Sequence, residues 1–332
     1  MLKSVRERLT LRNFVLAVQH VFAMFGATVL VPLITGMDMG VALVASGVGT
    51  LIYIACTRGK VPVYLGSSFA YLAAIGAASA AGGFESVYVG LMAVGIIYVI
   101  VATVIRYTGN NWIKSLLPPV VVGPMIIIIG LSLAGVAINS AGLDGSAESW
   151  KVPFVAILTF ATVVGVALKG KGFFRIVPFL IAIVVGYLVA WPLGLSDPLA
   201  ALKGAGLFGV PNFVFIGTYA LDFSAILMFA PIAFVTMAEH IGDHTVLGEI
   251  CEKDFLTDPG LENTLMGDGI ATFVSAAIGG PANTTYGENT GVVAMTGVKT
   301  AFVTGMAAVF AIMLGFISPR QAILADIPWA VL

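Results

Sequence analysis

Cysteine is nearly missing from this chain. Cys56 and Cys251 are the only two in 332 residues, far apart and next to charged segments, so neither a disulfide framework nor a thiolate metal cluster is expected. Charge is scarce as well: 16 basic and 17 acidic side chains make 10% of the sequence and leave a net charge of -1. That balance gives a nucleic acid nothing to bind, so no nucleic-acid partner is expected. Histidine occurs three times. His240 and His244 stand four apart like half of a metal site, but no Glu follows His240 as the HExxH zinc motif requires, so no metal is expected.

What fills the chain instead is apolar. Hydrophobic residues make up 59% of it and mean hydropathy is +1.04, so runs of membrane-crossing size recur along its whole length. The class is an all-α integral membrane protein with many passes through a lipid bilayer. The run from Asn13 to Gly36 follows a basic leader, but it is too long for a signal peptide and lacks a small-residue cleavage site. It is the first span.

Apolar spans are expected at 13–35, 39–57, 67–81, 86–106, 119–138, 152–168, 177–194, 224–241, 264–280, 287–297 and 300–317. The third and tenth are too short to cross alone. Each follows a proline-containing extended stretch, Val61 to Gly66 and Pro281 to Tyr286, so each is read as a discontinuous crossing, a strand-like half followed by a half-helix. Counting both as crossings with a cytoplasmic N-terminus puts Lys3, Arg6, Arg8, Arg12, Arg58, Lys60, Arg106, Lys114, Lys169, Lys171, Arg175, Lys253 and Lys299 inside, and only Lys151, Lys203 and Arg320 outside. The positive-inside bias selects that parity in the cell inner (plasma) membrane.

Subtraction exposes a repeat. Gln19-His20 in the first span matches Glu239-His240 in the eighth, and Pro62 matches Pro281 at nearly the same offset. An odd unit of seven spans makes the second copy enter from the opposite side, an inverted repeat of the kind found in secondary transporters. Fourteen spans are expected from two such units. Eleven are present, and spans 5 to 7 have no counterpart before Leu332, so a truncated sequence is expected ahead of a naturally short protein.

The most informative stretch is Asn283-Thr284-Thr285-Tyr286-Gly287-Glu288-Asn289-Thr290-Gly291. Polar, glycine-broken backbone at membrane depth must be buried in protein or line a cavity, because each unsatisfied amide costs several kcal/mol in lipid. The run Glu288 to Gly297 fits the signature acid or amide, Asn, any, Gly, four residues, Thr. With Gln19-His20 and Phe22 to Thr28 in the first span, Tyr64 to Ala70 in the third, and Ala238-Glu239-His240-Ile241-Gly242 in the eighth, the chain resembles the nucleobase-ascorbate transporter (nucleobase:cation symporter 2) family, on the side of its bacterial uracil permeases.

That resemblance implies a core domain, 1–118 with 223–318, and a gate domain, 119–222 with the start of its second half at 319–332. It implies a base bound between the broken crossings by Glu239, Glu288 and the backbone amides of Phe69 and Gly287, and a homodimer through the gate. The chemistry of the residues agrees. A uracil ring interleaves two N–H donors with two carbonyl acceptors, so a selective site needs carboxylates beside free amides. Half-helix starts, here Ser67 with Ser68 and Gly287 with Glu288, supply such amides.

Proton coupling is expected at Glu239, with Asp243 one turn on along the same face and His244 beside it. A buried carboxylate next to a second acid has its charged form disfavoured. Some relatives carry a histidine where this chain has Asp243, which leaves the assignment among the three open. Gln19, His20, Ser68, Tyr286 and Asn289 are supporting residues: His20 is expected to bond other spans, and Tyr286 either packs or closes over the base. The function expected is a proton-coupled importer of a nucleobase, uracil first, moving core against gate. The alternatives are a xanthine or other purine symporter, which the acid at Glu288 disfavours, and a metal-dependent intramembrane hydrolase using His240, His244 and Glu239.

Overall fold

A computed structural model describes residues 10–331 except 111, 114–118, 133, 146, 148, 176, 204–207, 220, 318–322 and 324–325. Lys3, Arg6, Arg8, Lys114 and Arg320 of the charge argument, and much of the segment 319–332, lie outside the described residues.

Backbone polar groups in lipid must be satisfied within the protein, and a helix does this with its own residues. The apolar runs accordingly form helices whose ends are closed by local signals. α1 (Leu11–Thr35) starts where Thr10 accepts from the Asn13 amide over 3.2 Å, and ends at Gly36 with φ 80°. α2 (Met39–Cys56) starts where Asp38 accepts from Val41 over 2.9 Å. β1 (Leu65–Ser67) and a single 3-10 turn (Phe69–Tyr71) then lead into α3 (Leu72–Thr108). The expected third and fourth spans are therefore joined. Their separation survives as one break at Gly83, whose φ of 74° and ψ of -177° interrupt the helix, a conformation open to glycine and strained for other residues.

In the fifth span the described residues form α4 (Pro119–Ser132) and α5 (Ala134–Ser140). α6 (Lys151–Lys169) and α7 (Pro178–Ala190) follow the sequence bounds closely, and a short α8 (Pro198–Leu202) lies in the next connection. α9 (Phe223–Cys251) runs ten residues past the expected end of the eighth span. Glu249, expected in a loop, is helical, and the chain turns only at Glu252. α10 (Leu261–Ala277), β2 (Asn283–Thr285), α11 (Gly287–Thr296) and α12 (Ala301–Gly315) complete the order. Five of the described helices are long and apolar enough to cross a membrane whole.

The two strand-and-helix segments meet. β1 and β2 pair antiparallel, with Leu65 opposite Thr285, Gly66 opposite Thr284 and Ser67 opposite Asn283. Each strand feeds its own helix, so antiparallel pairing sends α3 and α11 in opposite directions from a shared middle. Around this pair α10 packs on α3 and α2, α9 on α3, and α12 on α2 and α1. Gly95 and Gly269 bring α3 and α10 together so closely that a Cβ on Gly95 would sit 2.7 Å from the Gly269 carbonyl, the small-residue contact expected where helices associate by packing. α6 and α7 pair with each other, and α7 reaches the rest through α1.

Candidate functional site

The strand pair is irregular backbone in an apolar interior, and flanking hydroxyls bind it. Thr50 on α2 accepts from the Leu65 amide over 2.9 Å, and Ser67 donates to the Thr28 carbonyl of α1 over 3.0 Å. On the other side Thr272 of α10 exchanges bonds with the backbone of Asn283, whose side chain donates to the Ala271 carbonyl over 3.1 Å. Tyr286 packs against Gly66, where a Cβ would come within 2.4 Å of its ring, and donates its hydroxyl to the Ser67 carbonyl over 2.9 Å. The Tyr286 side chain is buried there.

Both half-helix starts keep open donors. The amides of Phe69 and Gly287 find no acceptor among the described residues, as the first turn of a helix requires. The start of the third-span helix lies two residues later than expected. Ser67 belongs to the strand, and Ser68 stands at the cap position with its buried hydroxyl unpaired.

α9 brings Glu239 and Asp243 to the crossing. Asp243, Asp268 and Glu288, all acids, lie close enough to act electrostatically on Glu239. Glu239 itself makes no hydrogen bond among the described residues. Asp243 accepts from the Thr285 hydroxyl of β2. Glu288 sits half-buried in the first turn of α11, where the helix end favours negative charge. The lysine ion pairs, Lys60 with Asp258 and Lys299 with Glu252, lie in loops away from this cluster. Glu239, Asp243, Glu288 and the two open amides thus share one region.

The histidines are engaged by protein. His240 Nδ1 lies 3.0 Å from Asp268 of α10, both side chains fully buried. His244 donates from Nδ1 to the His240 carbonyl over 2.7 Å, and its Nε2 meets the Tyr53 hydroxyl, so both of its ring nitrogens are taken. Their rings stack 4.0 Å apart instead of converging on a common point, which is not how two ligands hold a metal. His20 is bonded to Asn289 across spans 1 and 10, and the side-chain oxygens of Gln19 and Asn289 are buried without partners.

Sequence reading missed Asp268, Tyr53 and Thr285. Asp268 carried a usable signal, since an acid within an apolar span is a functional candidate by default. Thr285 stood in the polar stretch but nothing in the sequence aimed it at Asp243. Tyr53 had no signal at all.

Residues 11–332 match the model of the "Permease family". The chain belongs to that family, the nucleobase:cation symporter 2 proteins. This permease is 42% identical over 335 residues to the uracil permease of Bacillus caldolyticus, covering 99% of this chain and 77% of the relative. It is 44% identical to the uracil permease of Bacillus subtilis (strain 168), with coverage of 95% and 74%, and 37% identical to that of Escherichia coli (strain K12), with 97% and 75%. Among solved structures the fold is similar to the transmembrane domain of the cyanobacterial bicarbonate transporter BicA, with TM-score 0.71 and 16% identity over 97% of this chain and 87% of that one. SLC26A9 is similar with TM-score 0.68 and 13% identity, covering 96% and 56%. Membership in a permease family makes the protein a multi-pass membrane transporter, and the hydrolase alternative falls with it.

Proposed function

We propose that this permease imports uracil together with a proton, by moving a core domain of 1–118 and 223–318 against a gate domain of 119–222 and 319–332. The observation that carries the reading is the meeting of Glu239 and Glu288 with the open amides of Phe69 and Gly287 at the crossed strands. The Glu288 carboxylate and the carbonyl oxygen of protonated Glu239 accept from the two ring N–H groups of uracil, and amides donate to its two carbonyl oxygens. The names of the relatives point to the same base.

The packing supports the division. α1, α2, α3 and α9 to α12 surround the strand pair, whereas α6 and α7 form a separate pair joined through α1. The antiparallel strand pair is what two inverted seven-span units would produce at equivalent positions. The base binds at the junction, and rocking of the core carries it across. Glu239 takes the coupled proton, with Asp243 tuning it; His244, with both nitrogens engaged, takes the lesser part. Gln19, Ser68 and Asn289 hold the surroundings in shape. We place the protein in the cell inner membrane with its N-terminus in the cytoplasm, as a homodimer through the gate.

The test is uptake of a panel of radiolabelled bases into vesicles with and without an imposed proton gradient. Gradient-dependent accumulation of uracil in preference to xanthine and other purines is expected. Preference for a purine would overturn the substrate, and uptake indifferent to the gradient would overturn the coupling.

A further inference from the structure

The carboxylates at the crossing are too many for their surroundings. Asp243 is faced along its own helix by Glu239, from α10 by Asp268, from α11 by Glu288 and from β2 by the uncharged Thr285. Beside the His240 contact to Asp268, no cationic side chain pairs with any of the four acids among the described residues. Asp268 is buried and the other three acids are partly buried, so with no cation beside them their mutual repulsion favours a proton on at least one.

Which acid takes the proton is decided by donors. Asp268 has the His240 ring, Glu288 has the amide end of α11, and Asp243 has the Thr285 hydroxyl. Glu239 has none. A donated hydrogen favours the ionised form of its acceptor. The Thr285 hydroxyl is also fixed in place, because its residue is paired with Leu65 in the strand register and Leu65 is in turn bound by Thr50.

We infer that Thr285 is a positioning residue of the transport reaction: its hydroxyl, donated to Asp243, keeps that carboxylate ionised and thereby leaves the transported proton on Glu239. The inference rests on the proposed proton-coupled import. Thr285 touches neither base nor proton in this account. It acts through Asp243, one helical turn from Glu239, where a negative charge makes loss of the Glu239 proton harder. It also ties proton occupancy to the strand crossing itself, since a shift of β2 against α9 would withdraw the donor.

The experiment is uracil uptake against pH by the full chain in proteoliposomes, for Thr285→Val, Thr285→Ala and Thr285→Ser, each alone and in an Asp243→Asn background. Without the donor Asp243 is more readily neutralised, Glu239 sheds its proton sooner, and the limb at which uptake fails on raising pH moves down by about one pH unit in the Val and Ala variants. Thr285→Ser keeps the wild-type profile. In the Asp243→Asn background, where the charge is already gone, no further shift is expected. A wild-type profile in either Val or Ala, or a shift of equal size in both backgrounds, would overturn the inference while leaving import intact. Absence of gradient-driven uptake in the wild type would remove the proposed function, and this inference with it, before any variant is compared.

Discussion

Asn289 gives both of its amide hydrogens to one residue: its Nδ2 lies 3.0 Å from His20 Nδ1 and 3.0 Å from the His20 carbonyl oxygen. The carbonyl can only accept, which fixes the amide orientation. The ring nitrogen facing it must then be the acceptor, so the His20 proton sits on Nε2. A single side chain thereby joins α1 to the half-helix α11 that begins at the strand crossing.

Asn289→Ala leaves the buried His20 ring nitrogen without a donor and takes one of two hydrogen bonds from the His20 carbonyl, a loss of about 1–3 kcal/mol. Thermal unfolding in detergent should show the drop. His20→Ala combined with it should cost less than the sum of the two single changes, because the partners share the bond. Strict additivity in that cycle would show that the pair contributes nothing to the joint between the spans.

Gly66→Ala drives a methyl group to within 2.4 Å of the Tyr286 ring. Overpacking of this kind costs about 1–3 kcal/mol. Tyr286→Val in the same chain removes the ring but not the Thr28 hydroxyl, 2.7 Å from the same methyl, and should restore part of the loss, as read by the melting temperature. A Gly66→Ala protein as stable as the wild type would mean that the two crossings do not lie this close.

Glu288→Gln keeps the shape and one acceptor oxygen but removes the charge. A ring N–H that met a carboxylate then loses about 1.5–3 kcal/mol, so uracil binding should weaken by roughly one to two orders of magnitude. Isothermal calorimetry on the purified variant measures it. Unchanged affinity in a well-folded variant would confine Glu288 to stabilising its own helix.

The spans and the breaks between them could be read in the sequence because lipid punishes polarity and interruption so heavily. Proline and glycine at Pro62, Gly66, Pro281 and Gly287 marked where helix gives way to strand, and Glu288 stood out in apolar surroundings. Contacts between distant segments left no such mark. Pairing of Gly66 with Thr284, the approach of Thr285 to Asp243 and the seat of Tyr286 depend on how two crossings dock, and docking has no periodicity to reveal it. The join of the third and fourth spans was hidden for a different reason: Gly82 and Gly83 look like a loop, yet one residue of unusual φ suffices there. Asp268 was legible in principle as a lone acid in an apolar helix. Its partner His240 was not, since 28 residues and a turn separate them.

Glu239→Gln tests the account most directly. The amide imitates the protonated acid, so the variant should still bind uracil and exchange it across the bilayer, but net accumulation driven by a proton gradient should stop. Equilibrium binding, exchange and gradient-driven uptake measured side by side in proteoliposomes separate the three steps. Binding and exchange retained with accumulation lost is the predicted result; accumulation of uracil up the gradient by Glu239→Gln would contradict the assignment of the transported proton to Glu239.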